Sequence, residues 1–313
     1  MGAGPDILLL GGPTASGKTA LGLHAARRLG AEIVNADSMQ VYSGLRILTA
    51  RPTDAEMEGV PHHLFGVIDP AERCSVGRWS RMALAALVDI RARGKRAVFV
   101  GGTGLYFKAL TEGLVPTPEI PDAVRAAVRE LAETGDAEAL RAEAQRLDPT
   151  GAASVEAGDR QRLIRLIEVA RAAGRPLSAL QAETAPPIPP DAWRGVVLQP
   201  PRDALYERIE ARFDAMMDEG ALDEARAIAG RDLDPDLPAM KAVGLPPLLA
   251  HLRGETDLDE AVRLARRDTR RYAKRQFTWF SNQHPGWARI AELDPDAARA
   301  ELDRILDEEF APC

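Results

Sequence analysis

Cysteine is scarce in this 313-residue chain, with only Cys74 and Cys313 present, far apart and the second at the last position. A structural disulfide is therefore not expected, and a reducing compartment fits best. Long apolar runs are missing too. Ile7 to Leu10 is only four residues and follows Asp6, not a basic stretch, so it reads as neither signal peptide nor membrane span, and a cytoplasmic location is expected. Positive charge is not in excess: the formal net charge is −7 and the pI about 5.4. No global field advertises nucleic-acid binding, and any RNA site must be local. Metal-ligand clusters are absent as well. His62 and His63 are adjacent, a spacing poorly suited to one ion, and no cysteine or acid group supports them, so structural hydrogen bonding is expected there. Nothing around Cys74 suggests a reactive thiol.

With 45% hydrophobic and 28% charged residues, the chain has the make-up of a folded globular protein. Ile7 to Leu10 predicts a strand ending in glycine, followed by a helix with Leu21, Ala25 and Leu29 on one side. Ile33-Val34 predicts a second strand. Trp79, Met82, Ala83, Ala86, Leu87 and Ile90 mark a helix feeding the strand Ala97 to Val100. Alternating strands and helices imply a parallel sheet flanked by helices, an α/β fold. Proline clusters at Val115 to Pro121 and Pro186 to Pro190 then bracket a stretch with helical patterns only. A small all-helical insertion over 117–186 is expected between two parts of the core, 1–116 and 187–313. The core resumes with the strand Val196 to Leu198 and a long helix marked by Leu205, Ile209, Phe213 and Met216.

Between the first strand and helix stands Gly12-Pro13-Thr14-Ala15-Ser16-Gly17-Lys18-Thr19, the P-loop spacing of two glycines separated by four residues, then lysine and a hydroxyl. Such a loop turns backbone amides onto phosphate oxygens, adds the positive end of a helix dipole and a lysine charge, and offers a hydroxyl to Mg²⁺. An NTP-hydrolysing enzyme usually places an aspartate after a further apolar strand. Here that strand runs into Gly101-Gly102-Thr103-Gly104, with no acid. NTP hydrolysis is disfavoured, while a small-molecule kinase and a nucleotide-gated RNA-binding switch remain as alternatives. Asp37, after the second strand, should open on the same crevice as the loop. It can serve as general base, hold a metal through water, or cap the following helix. From Val262 to Arg275, seven basic positions face one acid, Asp268. On a helix Arg263, Arg267, Arg271 and Lys274 would form a stripe able to follow a phosphate backbone, or a solvated face paired with carboxylates. Arg160, Arg162 and Arg165 offer a second patch.

In chain order the P-loop is followed by Asp37-Ser38-Met39-Gln40-Val41-Tyr42, Pro61-His62-His63-Leu64, Val100-Gly101-Gly102-Thr103-Gly104-Leu105-Tyr106, Asp159-Arg160-Gln161-Arg162-Leu163 and Tyr272-Ala273-Lys274-Arg275-Gln276-Phe277-Thr278-Trp279-Phe280. With these motifs the chain resembles the tRNA dimethylallyltransferase (tRNA isopentenyltransferase) family over nearly its whole length. The resemblance implies a P-loop NTPase-like core whose loop, with Arg208, holds dimethylallyl diphosphate, with Mg²⁺ on Thr19. It implies catalysis by Asp37, Thr103 and Lys18, with Asp37 taking a proton from the exocyclic amine of the adenine 3′ of the anticodon in tRNAs reading codons that begin with U. Contacts to tRNA are implied at Asp37, Ser38, Met39, Gln40, Thr103, Lys241, Lys274, Arg275 and Gln276. The insertion would add Arg125, Gln161, Arg162, Leu163, Ile164 and Arg165. A monomer with no membrane association is expected. The chain departs from the family's usual Asp-Ile-Gly-Thr-Ala-Lys-Pro at Arg46-Ile47-Leu48-Thr49-Ala50-Arg51-Pro52, and from Val-Gly-Tyr-Arg at Val243-Gly244-Leu245-Pro246.

Overall fold

The computed structural model describes residues 4–115, 120–134 and 137–310. Cys313 and the expected domain boundary at 116/117 lie outside them. The strands are β1 (Ile7–Gly11), β2 (Ala31–Asn35), β3 (His62–His63), β4 (Arg96–Gly101), β5 (Trp193–Leu198) and β6 (Ala288–Ile290). They form one parallel sheet in the order β3-β2-β4-β1-β5-β6. The helices are α1 (Lys18–Leu29), α2 (Asp54–Met57), α3 (Val76–Ala92), α4 (Gly104–Thr111), α5 (Asp122–Thr134), α6 (Ala137–Leu147), α7 (Pro149–Ala153) and α8 (Arg160–Ala173). They continue with α9 (Leu177–Ala182), α10 (Arg202–Asp218), α11 (Ala221–Ala229), α12 (Leu245–Leu252), α13 (Leu258–Gln283) and α14 (Pro295–Glu309).

Two compact units emerge, residues 1–111 with 188–313, and residues 112–187. The first holds the whole sheet. Its central strands are buried on both faces, so they read as unbroken apolar runs instead of alternating ones. Ile7, Leu9, Ala97, Phe99 and Val197 face one core with Trp79, Leu87, Phe107 and Phe280. Leu8, Leu10, Val98, Val100, Val196 and Leu198 face another, closed by Leu21 and Ala25 of α1 and Leu302 and Ile305 of α14. The edge strands β3 and β6, of two and three residues, were not anticipated from the sequence. Runs that short carry no readable periodicity. The second unit, α5 to α9, packs its own core from Val128, Leu140, Ala144, Leu163, Leu166 and Ile167.

Parallel strands deliver their carboxyl ends to one edge of the sheet, and there β1, β2 and β4 run into the loops that carry the conspicuous motifs. The ends lie close together: Ala36 donates to the Val100 carbonyl at 2.8 Å, and Thr103 donates to the Ala36 carbonyl at 3.2 Å. A Cβ on Gly101 would stand 2.1 Å from the Ala36 carbonyl carbon and oxygen. Backbone cannot yield there as a flexible side chain could. Gly101→Ala should therefore cost about 1–3 kcal/mol or more, read as a lowered Tm in thermal denaturation with a matching loss of ligand binding at the adjoining loops.

Candidate active site

The P-loop bridges β1 and α1 through residues that accept unusual backbone angles. Gly17 sits at φ +93° just before the helix, and Ala15 adopts φ +66°, a conformation costly for a residue with a Cβ. The loop holds Ala15 there with help from both flanks of Thr14. The Thr14 N–H donates to Gln276 Oε1 at 2.8 Å, and the Thr14 hydroxyl accepts from the Arg212 guanidinium. Ser16, 3% exposed, has a buried hydroxyl without a hydrogen-bond partner inside this turn. A buried polar atom left unpaired is unfavourable, and an oxyanion in the loop would satisfy it.

Lys18 folds back so that Nζ donates to the Pro13 carbonyl at 2.6 Å. Burial pushes its pKa down to about 7, Asp37 acts in the opposite direction, and Arg212 adds a further downward push. Arg212 itself is lowered to about 10, by burial first and then by Arg208, with Asp37 again opposing. Two poorly solvated cations that both face Asp37 make this part of the cleft suited to an anion. Lys18, Thr19, Asp37, Arg208 and Arg212 all line a cavity of about 620 Å³.

Asp37 reaches this cleft because Asn35 builds the turn after β2. Fully buried, Asn35 accepts from the Asp37 N–H at 2.8 Å and donates to the carbonyls of Asp37 and Leu64, each at 3.0 Å. Trp79 of α3 in turn donates to the Asn35 carbonyl. One carboxylate oxygen of Asp37 accepts from the Met39 N–H at 2.9 Å. No helix begins directly after Asp37, so its carboxylate closes a turn and does not cap a helix, while the residue lines the cleft. Thr103 accepts from the Ser38 N–H at 2.9 Å and lies 3.2 Å from the Ser38 hydroxyl. Tyr272, whose pKa is raised by burial and then by Asp37, lines the cavity beside Asp37. Beside Thr14 and Asp37, a smaller cavity of about 50 Å³ is lined by Met39, Leu48, Ile209, Phe213, Met216 and Val243.

Several expectations need correcting. Gln276 is 5% exposed, and each end of its amide makes a bond inside the protein, so its place is inward and not on an open RNA-facing surface. Gln40 donates to the Thr49 and Ala50 carbonyls, which holds the 46–52 loop. That loop is pinned again where Glu224 of α11 accepts from the Ile47 and Leu48 N–H groups at 2.8 Å. The free basic stripe on α13 gives way to paired charges. Arg263 meets Glu260, Arg266 meets Asp214, Arg270 meets Glu210, and Arg267 and Arg271 meet Asp268. Such exposed pairs are weak and exchangeable, but they cancel the local field. Lys274 and Arg275 are exposed, with Arg275 over the Tyr272 ring. Lys241 is exposed and pairs with Asp236.

Within the helical unit, Leu163 is 3% exposed and belongs to the core, with Ile164 packed against it. Arg160 donates to the Ala132 carbonyl and Arg125 to the Ile120 carbonyl, so both are engaged with their own backbone. Gln161, Arg162 and Arg165 are exposed. His62 and His63 bond the Val60 carbonyl and Glu32, as expected of structural histidines, and burial raises the Cys74 pKa. No group of three or more His, Cys, Asp or Glu able to hold a metal occurs among the described residues, nor is any helix there long and apolar enough to cross a membrane. Sequence reasoning selected Arg208, which lines the cleft and donates to the Leu293 carbonyl, but missed Arg212. The signal was present as a second arginine four residues on, the spacing that shares a helix face.

Comparison with known proteins accords with this geometry. A family model described as IPP transferase matches residues 40–283, and one described as isopentenyl transferase matches residues 5–65. The chain is 59% identical to a tRNA dimethylallyltransferase of Maricaulis maris over 96% of its own length and 98% of the relative's. It is 55% identical to one of Phenylobacterium zucineum, over 93% and 94%. A crystal structure of a tRNA isopentenylpyrophosphate transferase from Bacillus halodurans matches with a TM-score of 0.70 and 32% identity, covering 97% of this chain and 96% of that one. A eukaryotic dimethylallyltransferase shares the fold, with a TM-score of 0.82 at 24% identity over 97% and 78%. A P-loop and a strand-end aspartate on one cleft, in a chain matched almost end to end by these proteins, place it in the tRNA dimethylallyltransferase (IPP transferase) family.

Proposed function

We propose that the chain transfers a dimethylallyl group from dimethylallyl diphosphate to the exocyclic amine of the adenine 3′ of the anticodon, in tRNAs reading codons that begin with U. The observation that carries this reading is the meeting of Asp37 with Lys18 and Arg212 across one cleft. An aromatic amine is a weak nucleophile and an allylic diphosphate leaves readily only when its charge is met, so the reaction needs a base opposite a cationic cradle. The amine nitrogen bonds to the allylic carbon, the carbon–oxygen bond breaks, the diphosphate departs with the electron pair, and Asp37 takes the amine proton. Lys18, Arg212, Arg208 and the amides of Gly12 to Thr19 meet the leaving charge. Thr103, whose hydroxyl accepts from the Ser38 N–H beside Asp37, would act near the bridging oxygen. Mg²⁺ would be held by Thr19 together with diphosphate oxygens and would add charge neutralisation, a mode that needs few protein ligands. The target base must leave its stack, which a single-stranded loop permits. Lys274 and Arg275, with the exposed Gln161 and the exposed, ion-paired Lys241, Arg162 and Arg165, would meet RNA, phosphates displacing their weak carboxylate partners. A monomer acting in the cytoplasm completes the reading. A kinase is less well served, because β4 ends in Gly101-Gly102-Thr103-Gly104 with no acid to organise a nucleotide's metal.

Diphosphate release should require both dimethylallyl diphosphate and tRNA, and mass spectrometry of the anticodon-loop fragment should find one prenyl unit on one adenine. Release without tRNA would contradict the proposal. Asp37→Asn should lower kcat several hundredfold or more, on the order of a general base's contribution, with donor binding little changed.

The smaller cavity suits the allyl chain. Its lining of Met39, Leu48, Ile209, Phe213, Met216 and Val243 is apolar and its volume of about 50 Å³ is small, which favours a short hydrocarbon chain over a long one. Geranyl diphosphate should be turned over at least about tenfold less well than dimethylallyl diphosphate, a penalty in the range expected of chain-length discrimination, and equal kcat/KM for the two would refute this assignment.

Lys18 yields a pH dependence. Burial lowers its pKa to about 7 in the empty site, and a bound diphosphate would raise it, so binding takes up a proton above pH 7. Affinity for diphosphate should then fall as pH rises from 7 to 9, by up to about tenfold per unit. In Lys18→Arg the charge persists, and titration calorimetry should show a flatter profile than the wild type.

A further inference from the structure

We propose that Gln276 is a positioning residue that locks the phosphate-binding half of the site to the base-activating half; the inference rests on the prenyl-transfer reading above. Gln276 lies on the buried side of α13, together with Ala265, Thr269, Ala273 and Phe280, while its neighbours Lys274 and Arg275 face outward. Its Oε1 accepts from the Thr14 N–H and its Nε2 donates to the Gly102 carbonyl, both at 2.8 Å. Thr14 belongs to the phosphate loop after β1. Gly102 belongs to the loop after β4 and precedes Thr103, whose hydroxyl accepts from the Ser38 N–H beside Asp37. One amide therefore joins the loop carrying Lys18 to the chain segment that orients Asp37.

Three features single out this contact among ordinary buried hydrogen bonds. Thr14 is held twice, its N–H by α13 and its hydroxyl by Arg212 of α10, so two long helices set the position of one loop residue. Gly102 makes room for the bridge: a Cβ there would stand 2.0 Å from Gln276 Nε2. An amide serves at neutral pH because one end must accept and the other donate. Ionised glutamate, leucine and methionine each lose at least one of the two bonds. Reacting groups displaced by about 1 Å can lose on the order of a hundredfold in rate, so the distance between Lys18 and Asp37 is worth such a brace.

The test separates this role from an RNA contact. Gln276→Leu, close in size but unable to make either bond, should lower kcat between about tenfold and a hundredfold. It should weaken binding of inorganic diphosphate, measured by calorimetry without RNA, several-fold, and leave the Kd for the tRNA anticodon stem-loop within about twofold of wild type. Gln276→Glu keeps the acceptor toward Thr14 but, when ionised, loses the donor toward Gly102 and adds negative charge near the cradle. Its diphosphate binding should recover toward wild type, compared at equal pH, as the pH falls and the carboxyl becomes a donor; a purely structural defect would show no such recovery. Should the leucine variant not fold, the glutamate variant decides the matter on the same titrations. A raised Kd for the stem-loop with unchanged diphosphate binding would overturn the proposal in favour of RNA contact, and so would two variants indistinguishable from wild type. Failure of the wild-type protein to prenylate tRNA would instead defeat the underlying reading and leave the diphosphate titrations to be judged separately.

Discussion

The site depends on keeping Lys18 and Arg212, two poorly solvated cations, in one cleft where Asp37 is the carboxylate that acts on both. Burial lowers both pKa values and each arginine nearby adds to the strain, while Asp37 alone acts against it. Such an arrangement is unfavourable when empty and favourable once a diphosphate supplies the missing negative charge. Much of the surrounding structure holds these groups in place. The Pro13 carbonyl accepts from Lys18, the Thr14 hydroxyl accepts from Arg212, and Asn35 shapes the turn that presents Asp37. Electrostatic stabilisation of a leaving group is strongest where the dipoles and charges are fixed in advance.

The parallel sheet makes that fixing possible. Strands β1, β2 and β4 end together, and the glycines after β4 allow backbone to pass within van der Waals contact of Ala36 and leave room for Gln276. Helices α10 and α13 then reach the same loop with Arg212 and Gln276. The apolar residues of α10, Ile209, Phe213 and Met216, line the small cavity beside Asp37. One helix thus supplies a charge for the leaving group and a surface for the hydrocarbon chain.

Surface charge plays a different part. The arginines of α13 are mostly paired with carboxylates of α13 and α10. A helix that reads as a basic ribbon in one dimension has much of its charge offset in three. The exposed Lys274 and Arg275 stand directly before the buried Gln276, so outward-facing charge and inward bracing occupy successive residues.

The amino-acid order alone was enough for the strand, phosphate loop and helix at Ile7 to Leu29, because apolar runs and glycine spacing are local signals of backbone geometry. It was enough for the helical stretch between the proline clusters, and for Asp37 as the acid at a strand end, since parallel strands must bring their carboxyl ends to one edge. What it could not convey was partnership. Arg212 against Thr14, Gln276 spanning Thr14 and Gly102, and Glu224 holding the 46–52 loop are each separated by more than 150 positions in the chain. Whether a polar side chain faces solvent, ligand or its own protein is decided by which backbone groups folding leaves within 3 Å of it, and that is a property of the packed chain.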